Sequence, residues 1–159
     1  MKQHIKWKPL LIALALPLAV GGFSAFLTRD GMKAFASLRQ PPLSPPSWLF
    51  PVIWTLLYLM MGYASYLIWV SGVSENRRER ALTVYGLSLA ANFLWPILFF
   101  TMQAWLPAFL LLLVLWILVG ASMLLFGAID PKAGKLLIPY LLWLTFAAYL
   151  NLAVWLLNR

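Results

Sequence analysis

Five stretches of about 20 mostly apolar residues, at about 9–27, 49–70, 81–102, 106–126 and 136–157, take up most of this 159-residue chain. A helix needs about that many residues to cross the hydrocarbon core of a bilayer. Within that core, a helix or a closed barrel alone keeps every backbone polar group paired. The composition agrees: 64% of the residues are hydrophobic and 10% charged, with a mean hydropathy of +0.87, whereas a soluble domain is about one-quarter charged. The expected fold is an all-α integral membrane protein, a single domain over residues 1–159 arranged as a five-helix transmembrane bundle. Too little chain lies outside the spans for a soluble catalytic module.

The net charge of +8 does not indicate nucleic acid, because the twelve Lys and Arg sit at the ends of the apolar runs and form no patch or stripe. They bear instead on topology, since positive charge collects on the cytoplasmic side. The N-terminus (Lys2, Lys6, Lys8), the 71–80 loop (Arg77, Arg78, Arg80) and the 127–135 loop (Lys132, Lys135) hold eight of the twelve. Arg29, Lys33, Arg39 and Arg159 hold the other four. A cytoplasmic N-terminus and an external C-terminus are therefore expected. The first segment has the basic start of a signal peptide, but no small-residue cleavage site follows Pro17, Gly21 and Gly22 before Arg29, so a retained helix is expected. The chain has no cysteine and a single histidine, His4, in a polar tail. A haem-ligating histidine needs an oriented, buried surrounding, so His4 is read as solvated and neither a metal site nor a required cofactor is expected.

Proline placement sorts the helices. Pro9, Pro51, Pro107 and Pro139 fall near the start of an apolar run, where a missing N–H leaves nothing unpaired. Pro17 and Pro96 are interior, so helices one and three are expected to kink there and hand their freed carbonyls to a neighbour. Short connections after helices two, three and four predict antiparallel neighbours from helix two to helix five. The 28–47 connection is much longer and ends in "RQPPLSPPSW", with Pro41, Pro42, Pro45 and Pro46 filling four of six positions. Each proline fixes its own φ and extends the residue before it. Two readings are open: a stiff cap across the mouth of the bundle, or an end to the amphipathic segment "GMKAFASL" with a restart at Trp48.

Residues three and four apart share a helix face. Trp54, Tyr58, Met61 and Ser65 do so on helix two, Tyr85, Ser88, Asn92, Trp95 and Phe99 on helix three, and Tyr140, Trp143, Ala147 and Asn151 on helix five. Amides at membrane depth belong inside the bundle, so Asn92 and Asn151 are expected to point inward. Trp48, Trp105 and Trp155 suit an interfacial aromatic belt. Trp54 and Trp143 suit it less, and an interior of Trp, Tyr and Phe with a few polar atoms fits a large, flat, mostly apolar ligand. Catalytic constellations are missing. The four acids, Asp30, Glu75, Glu79 and Asp130, lie in loops, leaving no buried carboxylate pair for acid–base work and no intramembrane charge for ion coupling. Gly86 and Ala90 form a small-xxx-small pair, a candidate homodimer seam.

The runs "PPLSPPSWLFPVIWTLLYLMMGYASY", "NFLWPILFF" and "PYLLWLTFAAYLN" together resemble the translocator protein family, also called tryptophan-rich sensory proteins or peripheral-type benzodiazepine receptors. The resemblance covers about residues 35–158 and is to bacterial-like members, which implies a bacterial cell membrane. It implies five membrane helices, a homodimer, and a first loop closing over a pocket for porphyrins and other tetrapyrroles such as haem. On that resemblance Trp54 and Trp143 fall on pocket tryptophans implicated in light-dependent porphyrin breakdown, and are the candidates for any catalytic role. Tyr58, Asn92, Trp95, Ala147 and Asn151 complete the expected ligand set. Two departures stand out. The tryptophan that many members carry two residues before the second proline pair is here Leu43, and the animal sterol motif is unmet because the first basic residue after Tyr149 is Arg159. Tetrapyrrole binding is thus expected more readily than cholesterol binding. The leading reading is a tetrapyrrole-binding regulator or sensor. The alternatives are a porphyrin transporter, light- and oxygen-dependent porphyrin degradation, and a structural subunit whose aromatics are only core.

Overall fold

The computed structural model describes residues 4–159, and among them there is helix and no strand. The helices are α1 (Trp7–Leu27), α2 (Arg29–Phe35), α3 (Leu49–Trp69), α4 (Glu75–Pro96), α5 (Trp105–Ile129), α6 (Pro131–Leu136) and α7 (Ile138–Asn158), and α4 continues into a π-helical turn at Ile97–Thr101. Five helical units are long and apolar enough to cross a membrane: Trp7–Leu27, Leu49–Trp69, Glu75–Thr101, Trp105–Ile129 and Pro131–Asn158. They correspond to the five expected spans. The third starts at Glu75 rather than 81, because "ENRRER" is too charged to read as membrane yet places Glu75 in the first turn, where the helix dipole favours an acid. The last starts at Pro131, with the Asp130 carboxylate accepting from the Lys132 N–H at 2.9 Å as an N-cap.

The spans form a ring. α1 packs along α3, α3 meets α6, α7 packs along α5, α5 along α4, and α4 returns to α1. The expectation of neighbours from helix two to helix five therefore holds for α4–α5 and α5–α7 but not for α3, which touches α4 only slightly despite the short connection between them. Glycine explains the difference. A Cβ on Gly62 would stand 2.7 Å from the Ala13 carbonyl oxygen, and that oxygen is the one Pro17, lacking an N–H, leaves unpaired inside α1. A Cβ on Gly21 would collide with the Tyr58 ring. Two bare glycine surfaces thus draw α1 onto α3. Gly134 faces Gly127 in the same way, and a Cβ there would lie 2.7 Å from the Gly127 Cα.

The two interior prolines behave differently. α1 runs through Pro17 as one helix. At Pro96 the ladder slips to a five-residue step, with the Met102 N–H bonding the Ile97 carbonyl at 2.9 Å, while the Phe93 carbonyl accepts from Ser24 Oγ of α1 at 3.0 Å.

The bundle has two distinct ends. At one, the Lys6 N–H donates to Tyr66 Oη at 2.9 Å and Arg77 Nη2 to the Ala128 carbonyl at 3.1 Å, which gathers the N-terminal segment and the connections after α3 and α5. Lys2, counted above with these charges, lies outside the described residues. At the other end lies the 28–47 segment. Its first part is α2, with Gly31 against the Phe100 backbone; after Phe35 the chain crosses in extended and turn conformations. Both open readings therefore have a share: the amphipathic piece is a helix, and the proline run continues from it as a strap. Pro41 to Ser44 make a turn in which Ser44 bonds the Pro41 carbonyl through its N–H at 3.3 Å and its hydroxyl at 2.8 Å. Leu43 sits there at φ 67°, a left-handed conformation usually left to glycine. Gly86 and Ala90 face outward, on a groove of about 520 Å³ shared with Leu16, Val20 and Phe93.

Gly62→Ala should therefore lower the melting stability of the detergent-solubilised protein by about 1–3 kcal/mol through overpacking. Gly86→Ala, with nothing within 4 Å of the new Cβ, should stay within about 0.5 kcal/mol. Thermal unfolding followed by circular dichroism compares the two directly.

Candidate functional site

The three patterned faces converge. Met61, Ser65, Tyr85, Ser88, Phe99 and Ala147 are buried, and Asn92 and Asn151 are 4% and 1% exposed, so both amides point inward as expected. Their side chains bond across helices. Tyr58 Oη donates to Asn92 Oδ1 at 3.2 Å, and Asn92 Nδ2 donates to Tyr140 Oη at 2.6 Å, joining α3, α4 and α7 in one chain. Trp95 Nε1 donates to Asn151 Oδ1 at 3.0 Å, and Asn151 Nδ2 donates to the Trp105 carbonyl at 2.8 Å, joining α4, α7 and the start of α5. Neither asparagine has a spare amide atom, because each uses both its oxygen and its nitrogen.

Rings pack over these polar chains in two clusters. In the first, Trp54 stacks on Tyr58 at 5.5 Å and meets Tyr140 and Trp143 edge-on at 6.1 and 6.5 Å. Phe50 and Phe146 flank Trp143 at 5.9 and 5.6 Å. In the second, Trp95 stacks on Phe99 at 4.9 Å, and Phe35 of α2 closes on Phe99 and Phe100 at 5.4 Å each. The expected ligand residues thus divide: Trp54, Tyr58, Asn92 and Trp143 lie in one cluster and Trp95 and Asn151 in the other. Ala147 lies one turn from both Trp143 and Asn151 on α7, a small side chain between two large neighbours. Trp105, the first residue of α5, packs against the second cluster with Phe99 and Ala108.

Among the described residues, four buried donors have no partner: Trp143 Nε1, Trp105 Nε1, Tyr85 Oη and Arg78 Nε. Unpaired buried polar atoms are uncommon enough to mark unfinished chemistry. The first lies in the Trp54 cluster, where Trp54 and Trp143 are half-buried and meet edge-on at 6.5 Å; open grooves of about 520 and 410 Å³ lie on the α1–α4 outer face and beside Trp69 and Arg78. A flat ligand that stacks between Trp54 and Trp143 must therefore part them. Among the described residues no three His, Asp or Glu side chains come together as a metal site. Sequence reasoning had Tyr140 on the right face but missed that it closes the Asn92 chain; its position four residues before Leu144, a fully buried core residue of α7, was the available signal. Phe50 and Phe146 were missed because an apolar ring in an apolar run carries no distinguishing mark.

The TspO/MBR family profile matches residues 13–156. The tryptophan-rich protein TspO of Chlorobaculum tepidum is 34% identical over 158 residues, covering 99% of each chain. The translocator protein of Ovis aries is 38% identical over 152 residues, covering 94% of this chain and 89% of its own. The tryptophan-rich sensory protein of Cereibacter sphaeroides is 34% identical over 156 residues, covering 98% and 95%.

Asn92→Leu removes two interhelical bonds and leaves the Tyr58 hydroxyl without an acceptor. It should destabilise the folded protein by about 1–3 kcal/mol, whereas Gly120→Ala, with nothing within 4 Å of the new Cβ, should cost well under about 1 kcal/mol. Chemical unfolding in mixed micelles gives both values.

Proposed function

The chain belongs to the TspO/MBR family of integral membrane proteins, and from that premise we propose that it binds a tetrapyrrole of the porphyrin or haem type and acts as a regulator or sensor of it. The observation that carries this reading is the Trp54–Tyr58–Trp143 cluster beside the unpaired Trp143 Nε1. Flat apolar rings offer the macrocycle its stacking surface, and an indole N–H without a partner offers its polar edge a donor. Trp54, Tyr58, Trp143 and Ala147 form the contact surface, Asn92 holds Tyr58 in place, and the cap with Pro41, Pro42, Pro45 and Pro46 covers the mouth. Trp95 and Asn151 support the cap from the second cluster. No bound cofactor is needed.

A second reading, light- and oxygen-dependent breakdown of the bound porphyrin, is favoured by the contact between Trp54, Tyr58 and Trp143. Oxidisable rings in series allow Trp54 or Trp143 to supply electrons while the ligand absorbs the light and oxygen accepts. The membrane is that of a bacterial cell, with the N-terminus and the Arg77–Arg80 end in the cytoplasm and the cap outside. A second copy of the chain fills the outward groove at Gly86 and Ala90, where small residues allow close helix contact; a tetrapyrrole is favoured over cholesterol as the ligand.

In the dark, protoporphyrin IX should quench tryptophan emission saturably at micromolar concentration. Trp54→Phe and Trp143→Phe should each weaken that binding about three- to tenfold, whereas equal, non-saturating quenching in all three proteins rejects the site. Illumination of the complex then separates the readings: loss of the porphyrin absorbance that Trp143→Phe slows supports breakdown. Gly86→Leu, which fills the groove, should shift the micellar protein from dimer to monomer in light-scattering chromatography.

A further inference from the structure

The strap that crosses the mouth has little means of tying itself down. Four of its residues, Pro41, Pro42, Pro45 and Pro46, carry no N–H, so its backbone cannot build a ladder; besides the Gln40 side chain, which bonds the Phe35 carbonyl of α2 at 3.1 Å, its attachment comes from α7. Asn158, the last residue of α7, receives the Arg39 N–H on Oδ1 and donates Nδ2 to the Arg39 carbonyl, both at 3.0 Å. Nine residues earlier, Tyr149 Oη donates to the Pro42 carbonyl at 2.8 Å. Pro41, between the two gripped positions, is buried, while Leu43, just beyond them, is 80% exposed. These attaching bonds lie at the exposed end of the bundle, where each contributes only a small net stabilisation.

Tyr149 also touches the candidate site through other rings. Its ring lies 6.1 Å from Phe146, which lies 5.6 Å from Trp143, which lies 6.5 Å from Trp54. Close-packed rings do not move singly. Phe146 contacts both Trp143 and Tyr149, so a shift of Trp143 away from Trp54 disturbs a ring that Tyr149 also packs against. We propose that Tyr149 and Asn158 are a clasp that holds the cap shut, and that its release is the same event as the opening of the Trp54–Trp143 cluster. The inference rests on the reading of that cluster as the ligand site.

A clasp intact in both the free and the loaded protein and broken only during passage has a kinetic signature. Its loss speeds association and dissociation together and leaves affinity alone, whereas loss of a ligand contact changes dissociation and affinity together. Tyr149→Phe is the sharpest variant, since it deletes one oxygen and keeps the ring series. In stopped-flow quenching by protoporphyrin IX in the dark, Tyr149→Phe should raise both rate constants about three- to tenfold, the weight of one hydrogen bond, with Kd unchanged within about twofold. Asn158→Ala should do the same. Rates equal to wild type, or a rise in dissociation alone with a matching loss of affinity, overturn the clasp.

Hydrogen–deuterium exchange of peptides covering residues 36–50 tests the clasp without ligand. Faster exchange in both variants, with the peptides of α5 unaffected, supports it, and unchanged exchange overturns it. Wild-type protein that shows no saturable quenching overturns the ligand site instead, and the exchange measurement still decides whether the clasp exists.

Discussion

Inside a bilayer there is no water to take a hydrogen bond, so each polar atom in the spans must find its partner in the protein. Most short side chains meet that demand locally: Thr28 bonds the Ser24 carbonyl, Ser65 that of Gly62, Ser122 that of Leu118 and Thr145 that of Leu141, while Ser24 crosses to the Phe93 carbonyl. Longer ones cannot. Asn92, Asn151, Tyr58 and Tyr140 reach past their own backbone and bond to other helices. These few crossing bonds settle which faces of α3, α4 and α7 meet. On the backbone, the Ala13 carbonyl that Pro17 leaves without its helical partner lies against Gly62, where α1 and α3 approach closely.

Where the bundle satisfies this demand it is packed and closed, and two of the buried atoms it leaves unpaired lie among the aromatic clusters. Trp143 Nε1 and Trp105 Nε1 are such remainders, one in each cluster. Between them, Asn151 and Ala147 let α7 serve both clusters with one face. The same residues therefore set the fold and frame the proposed site, which makes the site rigid everywhere except at its rings.

Much of this was legible in the sequence, for stated reasons. Spans emerge from runs of apolar residues because the hydrocarbon thickness is a single length shared by all of them. Inward faces emerge from Asn92 and Asn151 because an amide has nowhere else to go. The ring order of the helices was not legible: loop lengths predicted α3 beside α4, whereas Gly62 and Gly21, read singly, gave no sign that α1 would lie against them. The early start of α4 was hidden because "ENRRER" favours a helix through the Glu75 charge in its first turn and not through its hydropathy. Nor could the grip of Asn158 on Arg39 or of Tyr149 on Pro42 be anticipated, since in each the partner is a backbone group more than a hundred positions away and a carbonyl looks the same at every residue.

The two ends of the bundle are fastened in different ways. At one, short connections, the Gly127–Gly134 contact and the Arg77 bond to the α5 terminus leave the chain little freedom; at the other, a proline strap rests on a handful of side-chain bonds. Compliance is therefore polarised along the membrane normal. Under the proposed reading, a ligand admitted at the loose end would depart by that same end, so the interior would equilibrate with one reservoir and its occupancy would read the concentration there.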